Sequence, residues 1–258
     1  MSDPTAAANG TLALIRTEIA DARVEDIAIS LGAPILTFDE AIDSTHGYFL
    51  AYRNGSLTLL DRQSLKKGGL TVDIAPRPGE QHSYPAPKKD LLAQAIGKKT
   101  ETVVDATTGW AQDSLALFRM GYQVTSIERS PVMAALIRDG YQRLAQKDWV
   151  QRRELQPPNL LIGNAIRLLA GLPKTPECIY LDPMFPPKRK QSAATRKSMA
   201  VLRDILGDDL DRQQLFTAAW SATGKRVVVK SPDYAEPLGG KPSTVYSGKL
   251  LRYDVYLK

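Results

Sequence analysis

The segment Tyr180-Leu181-Asp182-Pro183-Met184-Phe185-Pro186-Pro187 sets a carboxylate, a proline and an aromatic ring directly behind a short apolar run. That combination can hold an exocyclic amine of a nucleobase. Such an amine is a poor nucleophile because its lone pair is delocalised into the ring. The Asp182 carboxylate and the Pro183 carbonyl can accept its two N–H bonds, which aims the lone pair and raises its electron density. Pro183 has no N–H of its own and stiffens the turn. Phe185 can stack on a base swung out of its helix. A pocket of this kind accelerates transfer by alignment and electrostatics, and Asp182 can also take the released proton. The plain alternative is a proline-rich loop after a buried strand.

Two further acids end apolar runs. Val103-Val104-Asp105-Ala106-Thr107-Thr108-Gly109 reads as a strand tip and a small-residue turn, with a helix following from about residue 113. In an open α/β sheet, ligands bind outside the carboxyl ends of the strands. A carboxylate there, followed by turn N–H groups and a helix N-terminus, suits a cofactor carrying both an ammonium and a carboxylate. The next run ends in Ile127-Glu128-Arg129-Ser130-Pro131. Glu128 follows Asp105 at roughly the 20-residue spacing at which an acid accepts both ribose hydroxyls; the alternative is a cap for the next helix. Gly163-Asn164-Ala165 offers Asn164 either to an adenine edge or as a helix cap. The Gly-x-Gly-x-x-Gly pattern is absent, which argues against a nicotinamide enzyme.

Charge lies beside these positions. Residues 188–203 carry Lys188, Arg189, Lys190, Arg196, Lys197 and Arg203 without an acid. They read as a solvated basic segment or as a grip on the phosphates flanking a target nucleotide. Val227-Val228-Val229-Lys230-Ser231-Pro232-Asp233-Tyr234 places Lys230 and Tyr234 at another strand end as candidate substrate contacts. His46 and His82 share no metal-ligand spacing with each other or with Cys178, so no metal is expected. No serine or cysteine nucleophile motif is present.

The elements that must position these residues fall into two rhythms. Residues 12–16, 35–38 and 70–74 predict short strands, with a helix over 24–31. Tyr48–Arg53 and residues 56–60 flank Asn54-Gly55, the preferred type I′ hairpin turn. Residues 75–89 carry four prolines and read as a linker or surface loop. Beyond them strands (102–105, 123–127, 160–162, Cys178–Leu181, 226–229) alternate with helices (89–96, 113–120, Pro131–Ala145, 166–171, 210–222). Alternation of this kind predicts a parallel sheet covered on both faces. Residues 243–246 and Leu251–Leu257 around Ser247-Gly248 predict an antiparallel closing hairpin. The expected fold is α/β, a Rossmann-like class I methyltransferase sheet over residues 86–258 with a small β-rich N-terminal subdomain over 1–85.

Composition sets the outer bounds. The 258 residues are 43% hydrophobic and 24% charged, an ordinary globular balance able to bury a core without staples. One cysteine forbids an intramolecular disulfide. No apolar run approaches the ~18–20 residues that cross a bilayer, and the first residues lack a secretory signal. A cytoplasmic protein is expected. The net charge of +6 is compatible with a polyanionic partner without demanding one.

The 180–186 segment is similar to the Asp/Asn-Pro-Pro-Tyr/Phe motif of amino-group methyltransferases. Together with Val104-Asp105-Ala106-Thr107, the segment 128–136 and the segment 226–234, it resembles the RsmJ family, bacterial enzymes that methylate N2 of a guanine in small-subunit ribosomal RNA. The resemblance runs from about Leu91 to the C-terminus, and more weakly before it. It implies S-adenosyl-L-methionine as cofactor, and small-subunit ribosomal RNA or an assembling small subunit as partner. It also implies cofactor contacts at Gln112, Asp113, Glu128, Arg129, Asn164, Ala165 and Asp182, beside Asp105 and Gly109. Where that family carries Ala-Gly-Leu-Gly-Arg-Asp, this chain has Thr108-Gly109-Trp110-Ala111-Gln112-Asp113. Ala111 restricts that loop and Gln112 removes a charge. The competing expectations are a DNA amino-methyltransferase and a non-catalytic RNA-binding member of the fold.

Overall fold

A computed structural model describes residues 12–16, 22–75, 84–185 and 211–258. The chain divides into two compact units. Of the described residues, one comprises 12–16, 22–74 and 130–155, the other 75, 84–129, 156–185 and 211–258.

In the first unit, β1 (Leu12–Ile15), β2 (Ile35–Leu36), β3 (Tyr48–Arg53) and β4 (Ser56–Asp61) form a sheet in the order β2-β1-β3-β4. β1 runs parallel to both its neighbours, while β3 and β4 are the predicted hairpin. Asn54 and Gly55 both have positive φ (49° and 74°), as the type I′ turn requires. Two helices, α1 (Ala22–Leu31) and α2 (Phe38–Asp43), stand where the sequence predicts one. The expected strand over 35–38 stops at Leu36 because Thr37 caps α2. Its hydroxyl accepts the Glu40 N–H while the Glu40 carboxylate accepts the Thr37 N–H, a capping box. The expected strand over 70–74 reduces to one bridge, Leu59 to Leu70.

α5 (Pro131–Ala145) and α6 (Asp148–Gln151) belong to this unit, the former starting with proline at its first turn as expected. The Asp139 carboxylate on α5 accepts the Leu57 N–H of β4 at 3.1 Å and the Arg143 guanidinium at 2.7 Å. Gly140 lies between them because Val72 packs on the helix backbone: a Cβ there would sit 2.6 Å from Val72 Cγ1. Alanine at a helix interior gains about 1 kcal/mol in propensity, but overpacking a filled contact costs about 1–3 kcal/mol. Val72 is fully buried and has nowhere to retreat. Gly140→Ala is therefore expected to destabilise the protein by about 1–2 kcal/mol, read as a lower urea midpoint; a raised midpoint would contradict the packing argument.

The second unit is a seven-stranded sheet in the order β10-β11-β9-β8-β5-β6-β7. Its parallel strands are β5 (Thr102–Asp105), β6 (Gln123–Glu128), β7 (Asn159–Ile162), β8 (Cys178–Leu181) and β9 (Arg226–Pro232). β10 (Thr244–Ser247) and β11 (Leu251–Leu257) close it antiparallel, as predicted. Period-two alternation divides the strand residues between faces. Ile179, Leu181, Val227 and Val229 join a buried cluster with α7 (Ala165–Ala170) and α8 (Arg212–Ala222), centred on Leu169, Leu215 and Phe216. Tyr180 and Lys230 point to the opposite face, where they meet α4 (Gln112–Arg119). That same face carries α3 (Leu91–Ile96). Among the described residues no helix is long and apolar enough to cross a membrane.

Candidate active site

The carboxyl ends of β5, β6, β8 and β9 bring the sequence-predicted acids together. Asp105, 1% exposed, ends β5. One of its oxygens accepts the Ser114 hydroxyl at 2.6 Å and the other the Thr107 N–H at 3.1 Å. Ser114 Oγ in turn lies 2.9 Å from Ser126 Oγ on β6. Burial pushes the Asp105 carboxyl up to about 7, against the pull of the Ser114 and Thr107 bonds, and Asp113 and Asp182 add repulsion.

The turn after β5 is tied to the tip of β6. The Thr108 hydroxyl donates to the Ile127 carbonyl at 3.0 Å, and the Gly109 N–H donates to Glu128 Oε2 at 3.0 Å. Glu128 is buried there with its carboxylate against the turn. Ala111, the residue before α4, has φ 58° and ψ 15° and is fully buried. A left-handed alanine costs about 1–2 kcal/mol, a conformation that glycine adopts without that cost. Ala111→Gly relieves that strain and gives back some of the gain as unfolded-chain entropy. The expected net effect is a stabilisation of about 0.5–1 kcal/mol, measured by denaturant unfolding; a loss of stability would contradict it.

Asn164 takes the capping role, its Oδ1 accepting the Ile166 N–H at 2.8 Å at the start of α7, with Ala165 buried behind it. Arg129 lies 3.8 Å from Asp211, just before α8.

The reacting-group loop follows β8. The Asp182 N–H donates to Thr107 Oγ1 at 2.6 Å, joining this loop to the turn after β5. Lys230 Nζ stands 2.7 Å from Asp182 Oδ2 and 2.9 Å from Asp113 Oδ2. The Tyr180 hydroxyl donates to Asp113 Oδ2 at 2.6 Å. Burial opposes the Lys230 charge, but Asp182 and Asp113 outweigh it and hold the ammonium above the usual lysine range. Lys230, expected at the substrate, is thus bound between two carboxylates. Phe185 has the Arg212 guanidinium 5.1 Å from its ring centre. Tyr234 lies in the turn after β9. Lys188, Arg189 and Lys190 lie outside the described residues.

Four participants escaped the sequence reading: Thr107, Ser114, Tyr180 and Arg212. For Tyr180 a signal existed, since it precedes Asp182 by two in a strand and so shares its face. The side-chain bonds of the others to the site, Thr107 to Asp182 and Ser114 to Asp105, are made by tertiary contact.

The chain matches, over residues 36–258, a family described as "Putative SAM-dependent methyltransferase". It is 38% identical over 225 residues to the ribosomal RNA small subunit methyltransferase J of Shewanella sp. strain MR-4, covering 84% of each chain. It is 37% identical to the protein of the same name from Shewanella oneidensis, covering 84% of this chain and 88% of the relative. Among solved structures, a SAM-dependent methyltransferase from Neisseria gonorrhoeae superposes with a TM-score of 0.70 at 28% identity, covering 96% of both chains. The residues present fit S-adenosyl-L-methionine. Two buried acids end β5 and β6, and a Cβ added at Gly109 would meet only the Thr107 carbonyl at 4.0 Å, leaving room beside the turn. The buried Trp110 Nε1 in that turn has no hydrogen-bond partner among the described residues. The chain belongs to the family of S-adenosyl-L-methionine-dependent methyltransferases that includes ribosomal RNA small subunit methyltransferase J.

Proposed function

We propose that the protein methylates the exocyclic N2 amine of a guanine in small-subunit ribosomal RNA, as free RNA or within an assembling subunit, in the cytoplasm. The names of its relatives support the substrate class. The observation that carries the chemistry is Asp182, fixed by Thr107 and Lys230 beside the buried acids of the cofactor side.

S-adenosyl-L-methionine, when bound, supplies an electrophilic methyl group on a sulfonium. Asp105, Gly109, Gln112, Asp113, Glu128, Arg129, Asn164 and Ala165 are the residues we assign to holding it. Glu128 meets the ribose hydroxyls and Asp105 the amino-acid end. Asp182 and the Pro183 carbonyl accept the two N–H bonds of the amine, so that its lone pair points at the methyl carbon. Phe185 stacks on the extruded base. Lys188, Arg189 and Lys190 grip flanking phosphates, and Tyr234 borders the base. Residues 86–258 form the catalytic domain in this reading, with residues 1–85 assisting docking.

Labelled methyl transfer to undermethylated small subunits, compared with naked ribosomal RNA and duplex DNA, tests the reading. Transfer to a guanine N2 of the small-subunit RNA is expected. Preferential labelling of DNA would replace it with the DNA amino-methyltransferase. Failure to bind S-adenosylhomocysteine would favour a non-catalytic RNA-binding protein.

A further inference from the structure

The reacting-group loop is held by a chain of groups that no substrate contact explains. Lys230 is on β9, whose Val229 pairs with Leu181 of β8, so its side chain comes level with Asp182 at the strand end. On its other side it pairs with Tyr253 of β11. Two of its three N–H donors are committed, to Asp182 at 2.7 Å and Asp113 at 2.9 Å, and the side chain is only 24% exposed. Asp113 Oδ2 is itself shared, accepting the buried Tyr180 hydroxyl at 2.6 Å. A cation spent in this way on two partly buried carboxylates is poorly available to an RNA phosphate in solvent.

We infer that Lys230 is a positioning residue for Asp182, fixed in turn by Asp113 and Tyr180, and not a contact to the nucleic acid. This rests on the reading of Asp182 as the acceptor of the target amine. The ammonium fixes one oxygen of Asp182 and stabilises its ionised form. An ionised carboxylate accepts hydrogen bonds only, whereas a protonated one would offer a donor to an amine that already has two. The groups facing Asp182 and Lys230 are Asp105 from β5, Asp113 from α4, Tyr180 from β8 and Tyr253 from β11. Asp113 and Asp182 repel Asp105, and Lys230 lies between Asp113 and Asp182.

The test compares wild type with Lys230→Met, Lys230→Arg and Tyr180→Phe, using undermethylated small subunits as substrate. Folding is checked by thermal melting, and S-adenosylhomocysteine binding by calorimetry. For Lys230→Met the expected result is a fall in kcat of about 100-fold with KM for the particle changed less than about twofold. The acidic limb of the kcat profile should move to higher pH by about one unit or more, since a carboxylate that loses a cation at contact distance protonates more easily. Lys230→Arg should recover part of kcat and move the limb back. Tyr180→Phe, which keeps every charge, should lower kcat about three- to tenfold; it also carries the test if Lys230→Met does not fold, and unchanged kcat would then overturn the inference. A rise in KM of about tenfold for Lys230→Met, with a salt slope reduced by about one and the pH limb unmoved, would make Lys230 a phosphate contact and overturn it as well. If Asp182→Ala is itself active, the reading beneath fails. If Asp182→Ala is dead while Lys230→Met resembles wild type, only the positioning role fails.

Discussion

Asp182→Ala is expected to lower methyl transfer to undermethylated small subunits by about 10³-fold or more, while the melting temperature stays near wild type. The side chain is 37% exposed at the end of β8, so truncation leaves no buried cavity. Its anchoring bond to Thr107 is made by the main-chain N–H and survives the substitution. Lys230 keeps Asp113 as partner, which avoids stranding a buried cation. In the proposed mechanism the substitution removes an acceptor from the amine and a negative charge from the place where the nitrogen becomes positive. One preorganised group of this kind is worth about 10²–10³ in kcat, and loss of alignment adds to it. Asp182→Asn keeps the shape but offers an N–H where an acceptor is needed, and should fall between the two. The measurement is initial-rate labelled transfer with saturating cofactor; a rate within about tenfold of wild type would remove Asp182 from the mechanism.

Asp105→Asn should make the protein more stable above neutral pH while weakening cofactor binding by about 10–100-fold. The carboxyl ionises near 3.8 in the unfolded chain and near 7 in the folded one, because burial outweighs its two hydrogen bonds. Below the lower value both states are protonated and the group costs nothing. As pH rises from about 4 to 7 the unfolded chain ionises first, so this carboxyl's contribution to stability falls, and above about 7 the full cost is present. A rise of that size corresponds to a cost on the order of 4 kcal/mol. Asparagine retains the shape, and the Ser114 hydroxyl can turn to accept its amide. The melting temperature of the variant should therefore exceed wild type by about 5 °C or more near pH 8, and match it near pH 4. In the proposed mechanism the cost of this carboxylate is offset by a contact to the cofactor's amino group, one charge-assisted contact being worth about 1.5–3 kcal/mol. A variant with unchanged cofactor affinity and unchanged high-pH stability would contradict both parts.

Much of both units was legible because its information is local. The alternation of apolar strands with helices, Pro131 at a helix start and Asn54-Gly55 at a hairpin each act over a few residues. Acids at strand ends could be found because the carboxyl edge of a parallel sheet is fixed once the strands are. The strand expected over 70–74 failed for the complementary reason: pairing needs a partner, and of these residues only Leu70 bridges to β4, Thr71 reaching the Leu57 carbonyl by its side chain instead. Thr37 shows a local rule overlooked, a capping box that ends a strand and starts a helix within four residues.

The sequence by itself determined the α/β class, the closing antiparallel hairpin, and which acids stand at the strand tips, since periodicity and turn chemistry are properties of neighbouring residues. Tertiary structure alone decided that Lys230 serves Asp182 and Asp113, that Thr107 holds the 182–185 loop, and that Asp105 is buried with Ser114 and Ser126. The Lys230 and Thr107 pairings join residues far apart in the chain. Their energies depend on distance and on exclusion of water, and neither exists until the strands are laid side by side.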